Sequence, residues 1–211
     1  MNDYSPKEER LNVLSHALGF FLSIVALFFL IFRAAEMGNS WHITSVTIFG
    51  VSMIILYAAS TLYHNSKEIE KRRKLKIFDH AAIFVLIAGT YTPFTLITLE
   101  GTVGWTIFAV IWGMAITGVT LKLFFTGKYK ILSTIMYVLM GWVIIFAIKP
   151  LIESLSSGGL FWLFLGGVFY TVGAILYSIK KIKFNHAIFH FCVLAGTFCH
   201  FYSVYHFVLP S

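Results

Sequence analysis

His186 and His190 stand four residues apart, a spacing that on a helix puts both imidazoles on one face, a turn apart. Two imidazoles so placed can share one metal ion, as in zinc motifs built on HxxxH. A third ligand has to come from another segment, and His64 is the best-placed candidate. Three neutral imidazoles on a divalent ion leave a fourth position for water, the arrangement of a catalytic zinc. Ser60, four residues before His64, shares its helix face. Asp79 can hydrogen-bond such a water, take its proton or orient a ligand. Softness and geometry favour Zn2+, with iron, nickel and copper as alternatives. Plainer roles stand beside these. An intramembrane histidine often only hydrogen-bonds a neighbouring helix, and a carboxylate in a first helical turn can serve simply as a cap.

The elements that must carry these residues follow from composition. Of 211 residues, 58% are hydrophobic and 12% charged, about half the charged share of a soluble domain. That excludes a water-soluble globule and fits an all-α integral membrane protein. Apolar runs over 12–32, 43–64, 77–98, 104–125, 131–149, 159–179 and 185–207 predict a seven-transmembrane helix bundle. The bundle fills 1–211 as a single membrane domain and leaves no room for a soluble one. Breakers punctuate the connectors: Gly38 and Asn39, Gly101 and Gly104, Gly127, then Pro150 ending the fifth run and Ser156-Ser157-Gly158-Gly159 before the sixth. Pro93 predicts a kink in the third helix. The first run is too long for a cleaved signal peptide. Cys192 and Cys199, about 10 Å apart along a helix, are too distant for a disulfide and read as packing residues.

Of the 16 lysines and arginines, all but Arg33 and Lys149 fall in the N-terminal tail or around the second, fourth and sixth connectors. The positive-inside rule then predicts a cytoplasmic N-terminus and an outside C-terminus. The net charge of +7 is accounted for by topology and anionic headgroups, so no nucleic acid partner is expected. In this orientation His64 closes the second helix, Asp79 opens the third, and His186 and His190 open the seventh. Residues scattered along the chain thus share the cytoplasmic end. His200, about 15 Å beyond His190, cannot share its metal and reads as a packing or hydrogen-bonding residue. His80 reads as an interface residue, and His42 and His206 as without chemistry. Asn12, Ser15 and His16 read as a polar patch for helix-to-helix hydrogen bonding.

Ser60-Thr61-Leu62-Tyr63-His64, Phe78-Asp79-His80 and Asn185-His186-Ala187-Ile188-Phe189-His190 resemble motifs of the progestin and adipoQ receptor family, as do Val193-Leu194-Ala195-Gly196 and His200-Phe201-Tyr202. Glu9-x-x-Asn12-x-x-Ser15-His16 and Ala88-Gly89-Thr90-Tyr91-Thr92-Pro93 are similar to patterns of its bacterial hemolysin III branch. The resemblance runs from about Glu9 to His206. It implies seven transmembrane helices with the N-terminus inside, and a zinc ion near the cytoplasmic face held by His64, His186 and His190. Asp79 matches the aspartate associated with the zinc-bound water, and Ser60 the serine beside the site. The family belongs to a wider group of membrane hydrolases that includes alkaline ceramidases, so the resemblance suggests hydrolysis of a lipid amide. The long N-terminal extension of the animal receptors is missing, so hormone binding is not carried over.

The leading expectation is a zinc-dependent membrane hydrolase of a lipid-like amide or ester, with Asp79 as general base and Ser60 holding the water or the oxyanion. Membrane lipids are the expected partners, one of them as substrate, with the basic second connector holding anionic headgroups nearby. A pore-forming cytolysin is the second reading; it suffers because a pore needs polar lining across the whole membrane. A receptor or regulator of membrane lipid state with a structural zinc is the third, although structural sites normally have four protein ligands.

Overall fold

The computed structural model describes residues 4–36, 40–125 and 130–209. Gly38, Asn39 and Gly127, three of the expected breakers, lie outside them. In lipid only internal hydrogen bonding satisfies the backbone, so long apolar runs become helices. Among the described residues these are α1 (Pro6–Glu36), α2 (Ser40–Asn65), α3 (Ile69–Pro93), α4 (Gly101–Phe125), α5 (Lys130–Gly141), α6 (Ile148–Ser154), α7 (Ser157–Ser178) and α8 (Asn185–Ser203), with no strand. π-turns over Phe94–Thr98 and Val204–Val208 extend α3 and α8, and a 3-10 segment, Val143–Ala147, joins α5 to α6. Counted as crossings, seven stretches are long and apolar enough to span a membrane. The fold is the all-α seven-helix arrangement expected.

Element boundaries differ from the apolar runs where polar residues have inward partners. α1 begins at Pro6 rather than near residue 12, because Glu8 and Asn12 are buried against other helices. α3 begins at Ile69, eight residues ahead of the run at 77, through a Glu-, Lys- and Arg-rich stretch of good helix formers. Asp79 consequently lies almost three turns inside α3, and the first-turn cap reading falls. Pro150 does not end the fifth crossing. The break comes at Gly141–Trp142, and Pro150 sits in the first turn of α6, where a missing N–H is tolerated. At Pro93 the α-type bonding of α3 gives way to π-type in the residues that follow.

Consecutive helices α1 to α4 pack in order, α5 lies between α4 and α7 and also touches α3, α7 packs on α8, and α8 returns to α1. The result is a closed ring around a central space. Small residues permit the close approaches, as they do in membrane bundles generally. A Cβ on Gly89 of α3 would stand 2.2 Å from Ser52 Oγ and 2.6 Å from Ser52 Cβ on α2. Large apolar side chains such as Phe28, Phe124 and Phe146 face outward, where lipid would cover them. The entry to α8 is tightly fixed: Asn185 Nδ2 donates to the Tyr177 carbonyl at 2.7 Å. Phe184 adopts φ +60°, a conformation that costs a non-glycine residue about 1–2 kcal/mol. That turn sets where His186 and His190 point. Cys192 and Cys199 are free thiols.

Candidate metal centre

His64 ends α2, while His186 and His190 occupy the first two turns of α8; all three are buried. His186 Nε2 lies 3.1 Å from His64 Nε2 and 3.0 Å from His190 Nε2. The three ligand atoms fall within 4.8 Å of one another. Nitrogens bound tetrahedrally to one zinc-sized ion are about 3.3 Å apart, so this spacing suits a single small cation.

The other ring nitrogen of each histidine is held by the N-terminal end of the chain. His64 Nδ1 donates to Glu9 Oε2 at 2.7 Å. His190 Nδ1 lies 3.3 Å from the Asn12 carbonyl and 3.3 Å from Ser15 Oγ. His186 Nδ1 lies 3.0 Å from the Tyr4 hydroxyl. A carboxylate and a carbonyl can only accept, so His64 and His190 carry their protons on Nδ1. Both then present bare Nε2 lone pairs towards His186 Nε2. One N–H on His186 could answer only one of them, whereas a cation answers all three. The buried trio therefore fits a metal, and the partners on Nδ1 are those that orient metal-binding histidines.

Further contacts lock this end of the bundle. Glu9 also pairs with Arg72 of α3, whose guanidinium donates to the carbonyls of Tyr63, His64 and Ser66 at 3.2–3.4 Å. Glu8 Oε1 accepts from the His186 backbone N–H at 3.2 Å, placing a carboxylate at the positive end of α8. His16 stacks on His190 with ring centroids 3.5 Å apart and meets Tyr57 edge-on. Ser60 is fully buried one turn before His64. Asp79 is buried on α3 within electrostatic reach of Ser60, His64 and Lys76, yet Ser60 Oγ completes no well-formed hydrogen bond. Asp79 lies outside the ligand trio, with His80 Nε2 4.0 Å from its Oδ2.

All five residues singled out from sequence thus come to one end of the bundle. Asn12, Ser15 and His16 do contact other helices, but what they contact is the histidine trio itself. Tyr4, Glu8 and Arg72 were not anticipated, and Glu9 only as part of a motif. A signal existed: Glu8, Glu9, Asn12, Ser15 and His16 recur at helical spacing, running from the charged stretch at Lys7–Arg10 into the first apolar run. His186 and His190 of the trio open on a cavity of about 160 Å³ lined chiefly by α3, α5, α7 and α8. Asp79, His186 and His190 line one end, and Tyr91, Trp142 and His200 the other.

Residues 4–201 match the family described as Haemolysin-III related. The chain is 50% identical over 201 residues to the Hemolysin-3 homolog of Bacillus subtilis (strain 168), covering 95% of this chain and 94% of that one. It is 47% identical over 205 residues to Hemolysin-3 of Bacillus cereus, covering 97% and 94%. More distantly, it is 27% identical over 180 residues to the Monocyte to macrophage differentiation factor of Homo sapiens, covering 82% and 74%. With seven apolar crossings and a buried histidine trio that could hold a metal ion, the chain belongs to the Haemolysin-III related family of multipass bacterial membrane proteins.

Proposed function

We propose that this protein is a zinc-dependent hydrolase of lipid-like amides or esters, with its site at the cytoplasmic end of the membrane. The observation that carries the reading is the junction of a metal-competent trio with a mainly apolar cavity running into the bundle. A zinc ion held by His64, His186 and His190 would supply Lewis acidity, polarising a carbonyl and acidifying water. The apolar walls receive the acyl chain, exclude bulk water and set the scissile bond at the polar end. Asp79, beside Ser60, accepts the proton of the attacking water and returns it to the leaving amine or alcohol. Ser60 holds the water or the developing oxyanion. Glu9, Tyr4, Asn12 and Ser15 keep the imidazoles oriented. The basic residues gathered at the same end support a cytoplasmic location.

A cytolytic pore, which the names of the bacterial relatives suggest, finds less support, since Asp79, His186 and His190 gather at one end of the cavity and His200 is the one histidine at the other. Elemental analysis of tag-free protein beside His190→Ala tests the metal: about one zinc per chain, lost in the variant, is expected. A screen of lipid amides and esters follows. Asp79→Asn should keep its zinc and lose at least about 100-fold in turnover. Zinc-loaded wild type that cleaves nothing across a broad screen refutes the hydrolase reading.

A further inference from the structure

Tyr4 stands just ahead of α1, and its ring lies against two of the three imidazoles. The ring centroid is 4.6 Å from that of His186, with the planes tilted by 32°, and 6.1 Å from that of His64. Its hydroxyl lies 3.0 Å from His186 Nδ1. His64 is the last residue but one of α2, and His186 is the second residue of α8. The chain beside them is exposed, with Asn65 next to the one and Lys180, Lys181 and Lys183 ahead of the other. Yet His64 is only 4% and His186 only 6% exposed. Two ligands at the rim of the bundle thus owe part of their burial to a residue that belongs to no helix.

Tyr63 and Tyr177 also pack on these rings, with centroids 4.5 Å from His64 and 5.2 Å from His186. Both are residues of crossing helices, α2 and α7. Tyr4 differs, because the bonding of α1 starts one residue later. The Ser5 carbonyl accepts from the Glu9 N–H at 2.9 Å, and Ser5 Oγ accepts from the Glu8 N–H at 3.3 Å, as an N-cap does. Rotation of the backbone between Tyr4 and Ser5 lifts the ring away while these bonds stay made.

A hydrated cation has two ways to the trio. Through the cavity it would pass walls such as Ile83, Ile87 and Val193, which cannot replace its water. Past Tyr4 it meets carboxylates. Glu8 Oε1 accepts from the His186 backbone N–H at 3.2 Å, and Glu9 Oε2, on a side chain shared with Arg72, accepts from His64 Nδ1 at 2.7 Å. Negative charge beside the ligands draws a cation to this side.

We propose that Tyr4 is a lid on the metal centre: metal ions enter and leave at this end, past Glu8 and Glu9, when the ring swings away. The inference rests on the metal centre and not on hydrolysis. It concerns rate, not affinity. A lid shut equally over the empty and the filled site slows entry and exit alike and leaves their ratio unchanged. An orienting contact changes the ratio. The hydroxyl orients His186, and the ring covers it.

Tyr4→Phe keeps the ring and Tyr4→Ala removes it, while both lack the hydroxyl, so their Zn2+ affinities should match. Stopped-flow mixing of tag-free protein in nanodiscs with Zn2+ gives the entry rate. Mixing loaded protein with a chromophoric chelator, at concentrations where the rate has levelled off, gives the exit rate. Both rates should be about 2- to 10-fold faster in Tyr4→Ala than in Tyr4→Phe, the worth of one aromatic contact. Equal rates overturn the lid. Faster exit with a proportionate loss of affinity makes the ring an orienting group and overturns it too. The wild type tests the route whether or not the variants fold. In membrane vesicles of known sidedness, EDTA, which does not cross, should strip Zn2+ only where the face carrying Tyr4 is outermost. Stripping from the other face or from neither, or wild type that binds no Zn2+, overturns the proposal. The expected rates in protein that hydrolyses nothing would uphold the lid while the hydrolase reading fails.

Discussion

Glu9 offers the sharpest test of how the trio is held. Its carboxylate accepts from His64 Nδ1 at 2.7 Å while also pairing with Arg72. Glu9→Ala removes a charge-assisted bond and frees the imidazole to rotate or change tautomer. Losing such a partner costs about 10- to 100-fold in metal affinity, or about 1.4 to 2.7 kcal/mol. The other partners predict a graded series. Tyr4→Phe removes one neutral bond at 3.0 Å, about half as strong as a charged one, for a loss of about 3- to 10-fold. Ser15→Ala leaves His190 Nδ1 its Asn12 carbonyl at 3.3 Å and should cost no more than about threefold. Arg72→Ala spares the Glu9–His64 bond and should fall below Glu9→Ala. The assay is Zn2+ competition with a chromophoric chelator on tag-free protein, with thermal unfolding followed with and without metal. Bound metal should raise Tm by linkage, and least in Glu9→Ala. Glu9→Ala at wild-type affinity, or Ser15→Ala losing more than Glu9→Ala, would refute the assignment of these contacts to metal orientation.

Three further outcomes are expected. Imidazoles bind metal only when unprotonated, so affinity for metal, and the stability that bound metal confers, should be greatest near neutral pH and fall as acid protonates the ligands; an affinity that fails to fall on titration into acid, measured by chelator competition, would contradict histidine ligation. Tyr91→Phe deletes a hydroxyl that donates to the Gly141 carbonyl and accepts from the Ile144 N–H across the break in the fifth crossing, and should lower stability by about 1–2 kcal/mol, read as a fall in Tm. Gly89→Ala forces a methyl against Ser52 and should cost about 1–3 kcal/mol, whereas Gly113→Ala, where a Cβ meets nothing within 4 Å, should leave Tm unchanged or slightly raised.

Much of this was legible in residue order alone because the membrane imposes a strong rule. A segment in lipid must satisfy its own backbone, so long apolar runs become helices whatever their neighbours. The same logic marked the polar exceptions, since ionisable groups in such segments face inward and gather where chemistry or pairing retains them. Hence His64, Asp79, His186 and His190 could be assigned to one end before any coordinates. Where helices began was less legible. Pro6 and Ile69 lie outside the apolar runs, and the helix continues there because Glu8, Glu9 and Arg72 have partners on other segments. Pro150, read as a terminator, is a first-turn residue, because the break had already come at Gly141 and Trp142.

Composition and periodicity by themselves determined the class of protein, its seven crossings, and which side chains are too polar to face lipid. Those properties are local, set by hydration and backbone hydrogen bonding in each segment. Only the tertiary structure decided that α1 and the residues just before it deliver Tyr4, Glu9, Asn12 and Ser15 to the backs of three imidazoles, and that Glu8 meets the start of α8. It alone set Arg72 across the end of α2 and showed one cavity joining the trio to His200. These pairings connect positions up to 182 residues apart. They depend on how far each helix is rotated and where it crosses its neighbours, which side-chain shape across the whole ring settles and no single segment encodes.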